Sequence, residues 1–411
     1  MKRYFLGLLF LLTAFYGKAQ NRSLDNFIRS AVTSSPLIRD LNNQILAAQI
    51  DSIRLKAGFK PQITGSALGL YAPVINGYGY STAITNGQQL TGLVTVDKQF
   101  IGKSYLNAQV QSILNQKDSL RNSIRLSEQD LRKTIVAQYI TAYGSQEQQR
   151  FNQDIVDLLS KEEQVLLKLT RTNVYKQSDY LAFLVTLKQA QLQLNQARLQ
   201  YKADYSTLKY LAGIRDTTLD SLNRPDIRPA YFADKTQSIF FKQFQLDSIR
   251  LRNSHQLVDY NYKPKLHAFV DGGYNSDLTE EYYKNWGASV GFGLSIPIYD
   301  GGQRKLAHRK IQLEEDTRQQ YKQFFDQQYT QQVHQLREQI TGYDSLLADI
   351  RNQFRYSESL IKVDTKLLQT GDLKIADLIL AVNNYLSVKN LLSTNTIAQL
   401  QLINQLNYWN K

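Results

Sequence analysis

What most constrains this chain is that its plan is written twice. Phe59-Lys60-Pro61 recurs as Tyr262-Lys263-Pro264, and Phe100-Ile101-Gly102 recurs as Tyr299-Asp300-Gly301. Asp179, before Tyr180-Leu181, recurs as Asp377 before Leu378-Ile379, and Asp51-Ser52-Ile53-Arg54-Leu55 returns unchanged from Asp247 to Leu251. The offsets all lie near 200 residues, so two halves of the 411-residue chain share one design. The first repeat is expected over 21–212 and the second over 237–411, each a helix, a strand pair and a long helix hairpin. The linker, 213–236, carries the breakers Gly213, Pro225 and Pro229.

Each half holds two segments of period-2 alternation. From Trp286 to Ile298 the even positions are Trp286, Ala288, Val290, Phe292, Leu294, Ile296 and Ile298. The odd positions are Gly287, Ser289, Gly291, Gly293 and Ser295. That pattern predicts a strand with one apolar and one small, polar face. Its length matches the ~9–11 residues of a tilted strand that crosses a bilayer. Trp286, Val290, Phe292, Leu294 and Ile296 are therefore the expected lipid-facing residues. Pro264 to Asn275 alternates too, with Phe269 as the exception, and Pro61–Tyr71 and Leu90–Lys98 are weaker counterparts in the first half. The rival arrangement is a half-buried sheet in a soluble domain. Four strands cannot close a barrel alone, and an open edge cannot face lipid. Two chains would give eight strands and three would give twelve.

The rest reads as long helix. Ser104–Thr170 and Gln303–Thr370 contain no proline and one glycine each, Gly144 and Gly342. Val333, Leu336, Ile340, Tyr343, Leu347, Ile350 and Phe354 step by 3 and 4, as do Leu106, Val110, Ile113, Leu120, Ile124 and Leu131 with gaps. This is a coiled-coil seam. Sixty-odd residues at 1.5 Å each make a rod of roughly 90–100 Å. Each rod must turn back. Gly371 can take the left-handed conformation that ends a helix, Asp372 can cap the next one, and Asn173 holds the matching place in the first half. The following helices each begin with an acid, Asp179 or Asp377, suited either to an opening or to a helix N-terminus.

Composition removes several classes of function. There is no cysteine, which excludes disulfides, thiolate metal sites and a lipidated N-terminal Cys. The four histidines are not at ligand spacing, and no Walker loop, G-x-S-x-G or H-E-x-x-H occurs, so neither metal, cofactor nor catalysis is expected. Lys+Arg 49 against Asp+Glu 36 gives +13, yet no basic cluster sits on a nucleic-acid module. Mean hydropathy of −0.40 excludes a polytopic helical membrane protein but not a β-barrel, whose faces average out. Lys2 and Arg3 precede the apolar run Tyr4–Tyr16, and Gly17 and Ala19 flank Lys18, so residues 1–20 read as an export signal.

These residues together resemble the TolC-like outer membrane efflux proteins. Ser295-Ile296-Pro297-Ile298-Tyr299-Asp300-Gly301-Gly302 is similar to that family's exit from the last strand into a long helix. Gly371-Asp372-Leu373-Lys374-Ile375-Ala376-Asp377-Leu378 is similar to its periplasmic hairpin tip. The resemblance covers essentially the whole chain after the signal. It implies a mixed α and β membrane protein of the Gram-negative outer membrane. Each chain of a homotrimer would give four strands to a twelve-stranded barrel, and its antiparallel helices would line a periplasmic tunnel. Cargo would come from an inner-membrane pump through a periplasmic adaptor, in drug or metal efflux or in type I secretion. Asp377 would lie at the narrow entrance, with Asp179 on the matching turn. Some members place a second acid one helical turn on; here that position is Leu380. The alternative is a periplasmic coiled-coil adaptor or scaffold without a barrel.

Overall fold

The computed structural model describes residues 23–81, 86–230, 235, 238–279 and 281–410. The expected export signal at 1–20 lies outside the described residues. The elements run α1 (Leu24–Ser34), α2 (Pro36–Gly58), β1 (Gln62–Tyr71), β2 (Gln88–Phe100), α3 (Lys103–Arg171) and α4 (Gln177–Leu211). After a long connection come α5 (Ile239–Asn261), β3 (Lys265–Ser276), β4 (Trp286–Ser295), α6 (Gln303–Thr370) and α7 (Ile375–Tyr408). The order helix, strand, strand, long helix, shorter helix thus occurs twice. The 69 residues of α3 and 68 of α6 make each roughly 100 Å long.

The chain divides into two compact units. One takes in residues up to 39, 124–240 and 324–411, and the other 40–123 and 241–323. Each unit draws on both halves of the sequence.

The second unit holds one antiparallel sheet, ordered β1-β2-β3-β4. The register puts Trp286 opposite Tyr274, Val290 opposite Val270, Val270 opposite Val96, and Val96 opposite Ile63. Directly opposed residues share a face. One face therefore carries Ile63, Leu90, Val94, Val96, Phe100, Leu266, Val270, Trp286, Val290, Phe292 and Leu294. The other carries Thr64, Thr91, Thr95, Asp97, Asp271, Asn275 and Ser289, with Leu68, Leu70, Leu93 and Phe269 among them. The β1–β2 connection folds on itself: Asn76 and Gly77 have φ of 51° and 84°, and Ile75 and Tyr78 exchange both backbone hydrogen bonds at 2.9 Å. That is the mirror-image turn for which Asn-Gly is the preferred pair.

The first unit contains two cores. One gathers Phe151, Leu159 and Leu166 of α3, Phe183 and Leu187 of α4, Leu368 of α6 and Leu378 and Val382 of α7 around the helix turns. The other packs Phe27 edge-on against Tyr139 and Tyr205, with Ile135, Ile140 and Leu208. The seam on α6 is buried as its spacing predicts at Val333, Leu336, Ile340, Leu347 and Ile350. The seam on α3 is shifted. Leu106, Val110, Ile113, Leu120, Ile124 and Leu131 are only half-buried, while Ala108, Asn115, Asn122, Gln129 and Val136, seven residues apart, are buried. Asn115 accepts from Gln111 of its own helix (2.9 Å), whereas other amides here bond across the seam. Asn253 donates to the Ala108 carbonyl (3.1 Å), Asn122 to Gln243 (3.4 Å) and Gln129 to the Tyr408 carbonyl (3.1 Å).

Residues 220–223 of the connection after α4 are tied down. Gln146, itself buried, donates to the Leu222 carbonyl (3.0 Å) and accepts from its N–H (2.6 Å). Tyr139 and Tyr201 donate to the carbonyls of Asn223 (2.8 Å) and Asp220 (2.5 Å). Burial pushes the Tyr139 hydroxyl up to about 12, so it remains a donor at any ordinary pH.

Candidate functional site

Two features stand out as sites: the two-faced sheet and the paired helix turns. On the sheet, Trp286 is 72% exposed, Val290 68%, Phe292 76% and Leu294 64%. Among the described residues no element of the second unit covers this apolar face. Leaving so many large apolar side chains in water would forfeit about 1.5–3 kcal/mol each, which a lipid environment returns. The strand ends at Ser295, so Ile296, also exposed, lies one residue past it. Tyr274 and Trp286 pack edge to face (5.6 Å between centroids) at the end of the sheet away from the helices. At the opposite end the one charged residue of the apolar face, Lys98, extends its amine to the Phe59 carbonyl. Both arrangements suit an apolar slab with polar margins.

Phe269, the exception in the alternation, is explained by its partner. It lies opposite Gly291, and His267 lies opposite Gly293. A Cβ on Gly291 would come within 2.3 Å of the Phe269 ring, and one on Gly293 within 2.1 Å of His267. The two rings occupy the space those glycines vacate, with their centroids 6.4 Å apart. Phe269 thus spreads its apolar surface over backbone on the polar face. That face also carries Leu68, Leu70 and Leu93, but its polar groups pair across the strands: Thr91 donates to Asn275 (2.9 Å) and Ser289 to Asp271 (2.9 Å).

The helix turns are built alike. After α3, Val174 N–H donates to the Leu169 carbonyl (2.9 Å) and Asn173 N–H to Thr170 (3.1 Å). After α6, Asp372 N–H donates to Leu367 (3.1 Å) and Gly371 N–H to Leu368 (3.1 Å). Both are Schellman turns, which need a left-handed residue, and Asn173 and Gly371 supply it with φ of 58° and 83°. Asp372 is therefore part of the turn and not the cap of the next helix. The residue flanking α7 is Lys374, two positions on.

The two turns also touch. Tyr175 donates to the Leu373 carbonyl (2.8 Å), and a Cβ on Gly371 would meet Val174 at 3.0 Å. Neither contact was legible in the sequence. Asp179 is half-buried and accepts the N–H of Lys176 (3.3 Å), a capping role, whereas Asp377 is exposed in the first turn of α7. Below the turns lie two acids that sequence reasoning missed. Burial raises the pKa of Glu162. Burial, with the charge of Asp377, raises that of Asp364.

Among the described residues no group of three or more His, Cys, Asp or Glu side chains could hold a metal ion, and no helix is long and apolar enough to cross a membrane. No family model matches the sequence, and no curated protein matches it. Solved structures do. A membrane protein from Pseudomonas aeruginosa matches with a TM-score of 0.74 at 13% identity, over 94% of this chain and 89% of that one. CusC matches with a TM-score of 0.78 at 10% identity, over 95% and 92%. The outer membrane protein VceC of Vibrio cholerae matches with a TM-score of 0.74 at 12% identity, over 94% and 96%. At such identities the likeness is one of fold, and the fold of this chain is that of the TolC-like outer membrane channels.

Proposed function

We propose that this chain is the outer membrane exit duct of an efflux or type I secretion assembly, working as a homotrimer. The observation that carries the reading is the sheet with one uncovered apolar face and an opposite face on which cross-strand hydrogen-bonded polar groups are concentrated. A sheet of this kind satisfies lipid on one side and water on the other only if its edges are closed. Among the described residues β1 and β4 each have a neighbouring strand on one side only. Three copies supply the twelve strands of a closed barrel. The helices then extend into the periplasm, where an adaptor and an inner-membrane pump deliver cargo. No nucleotide-binding loop occurs in the sequence, so conduction is passive and the work is done by the pump.

Opening involves loosening the two helix turns, whose mutual hold is the Tyr175–Leu373 hydrogen bond and the Val174–Gly371 contact. Asp377 and Asp179 are the acids nearest the entrance in this reading. The test is conductance. The purified protein should form pores in a planar bilayer and run on an unboiled gel as a compact band that shifts on heating. Asp377→Ala should enlarge the conductance if the acid narrows the entrance. Absence of any pore, together with a soluble monomer in the periplasm, would sink the duct reading in favour of a scaffold.

A further inference from the structure

The duct reading leaves unused a polar cluster in the second unit, where α5 leads into β3 and α6 leaves β4. Nδ1 of His255 lies 2.7 Å from Nδ1 of His308. Nε2 of His308 lies 3.0 Å from Asp259, which also accepts from Arg304 at 2.7 Å. Arg304 lies over the ring of Tyr262 (5.7 Å), and Tyr262 donates to Asp300, which caps α6 by accepting from the N–H groups of Gly302 (2.8 Å) and Arg304 (2.7 Å).

The imidazole geometry separates two chemistries. The ring centroids are 5.0 Å apart and the planes differ by 13°. With the nitrogens 2.7 Å apart, the remaining distance is taken up by the two ring radii. The rings are therefore nearly coplanar and meet end to end, with the nitrogens on the line between their centres. Two ligands of one zinc ion each sit about 2.0–2.1 Å from it, with lone pairs converging on the metal. Nitrogens facing each other at 2.7 Å leave room for a proton and not for an ion. The tautomers follow from the neighbours. Asp259 is a carboxylate, held below the usual range by Arg304 and, after that, by His308. It accepts the Nε2–H of His308, so His308 Nδ1 carries a lone pair and accepts the Nδ1–H of His255.

We propose that His255 and His308 share this one proton as a pH-sensitive latch that clamps the end of α5 to the start of α6 and so fixes the feet of β3 and β4. A further proton on the pair leaves the shared bond in place. When both rings carry Nδ1–H, the contact becomes repulsive and the latch opens. Acid therefore opens it and neutral pH closes it. Asp259 remains ionised throughout because its own pKa is lowered. The surrounding charges are Asp259 on α5 and Arg304 on α6, then Arg252 and Glu315 about a turn or two further along these helices, which act on each other. Counted back from Lys60-Pro61 and Lys263-Pro264, and forward from Gly102 and Gly301, the corresponding positions of the first half are Ser52, Lys56, Tyr105 and Gln109, so β1 and β2 have no such latch and serve as an internal control.

The test uses the full chain in detergent, with 15N-labelled histidine. The latch predicts a nitrogen–nitrogen coupling across the His255–His308 hydrogen bond at neutral pH, lost in acid. Amide exchange in the last turn of α5, corrected for intrinsic rates, should speed up about tenfold between about pH 7.5 and about pH 5, the ratio expected for losing one hydrogen bond. The last turn of α2 should not change, and His255→Gln should remove the pH step in α5. A missing coupling in the wild-type protein overturns the proposal, as does an equal step in α2. Stoichiometric zinc binding, with zinc alone as probe and lost in His255→Gln, would make the pair a metal site and overturn it too.

Discussion

The sheet and the helix turns place their apolar residues in opposite surroundings. Around the turns, Phe183, Leu166 and Leu368 have no accessible surface, and each is locked by neighbours from other helices. On the sheet, Phe292 and Val290 are 76% and 68% exposed and form a continuous face with their cross-strand partners. The residue types are the same, so composition does not distinguish them. Periodicity does: a 3-and-4 step hides a stripe against another helix, whereas a 2-step exposes an entire face. A face of that kind needs a solvent of its own.

The largest test of this contrast is a pair of truncations. Phe183→Ala removes a ring from a close-packed core and should cost about 3–5 kcal/mol, read as a lowered denaturation midpoint. Phe292→Ala, by contrast, leaves a surface that remains in lipid and should move that midpoint far less. Equal losses would mean that the sheet face is covered by protein and would break the comparison. Next in size is charge. Val290→Arg on the apolar face should cost about 2–4 kcal/mol near the middle of a bilayer and abolish assembly in membranes. Ser289→Arg, one residue away on the polar face, should assemble. If both are tolerated, no lipid touches the sheet.

A smaller effect probes the first unit alone. Gln146→Ala would leave both the N–H and the carbonyl of Leu222 without the partner they now share. A loss of about 1–3 kcal/mol is expected, with Gln146→Glu worse than Gln146→Asn because it brings a charge into a buried position. Limited proteolysis of the 213–230 segment reads it out directly. No gain in cleavage would show that the tyrosines hold the segment by themselves.

These tests also mark what could be read from sequence. The ends of α6, the faces of β3 and β4 and the two left-handed turn residues, Asn173 and Gly371, were legible because each depends on local geometry or period. Phe269 was misfit until its partner was known, since the glycine that accommodates it is 22 positions away and the register that joins them is a tertiary fact. The α3 seam was misplaced for a related reason. Asn122 and Gln129 look like surface residues, and facing groups on other helices make their burial tolerable. The bonds from Tyr175 to Leu373 and from Gln146 to Leu222 were invisible because a side chain that binds a distant backbone leaves no pattern. Asp179 and Asp377 were recognised as helix-first acids, while Glu162 and Asp364 lay unremarked among the solvated residues of a long helix.

Asp364 sharpens the comparison at its finest grain, because with Glu162 it puts an ionisable group into the largely apolar surroundings of the turns. It is 7% exposed, and burial followed by the charge of Asp377 raises its pKa. A carboxyl whose pKa is higher in the folded than in the unfolded state stabilises the fold when protonated. That contribution is present below the unfolded value, about 3.9, and is lost as pH rises through the folded one. The turn region should therefore tighten in acid and loosen toward neutrality, opposite in sign to the histidine latch of the second unit. Asp364→Asn, neutral at every pH, should raise the denaturation midpoint at neutral pH and make no difference near pH 3.5, below both values. Asp377→Asn should produce part of the same gain by removing the second charge. If Asp364→Asn were instead equally stabilising at both pH values, the benefit would come from packing and not from ionisation. The acid would then have no bearing on how firmly the turns are held.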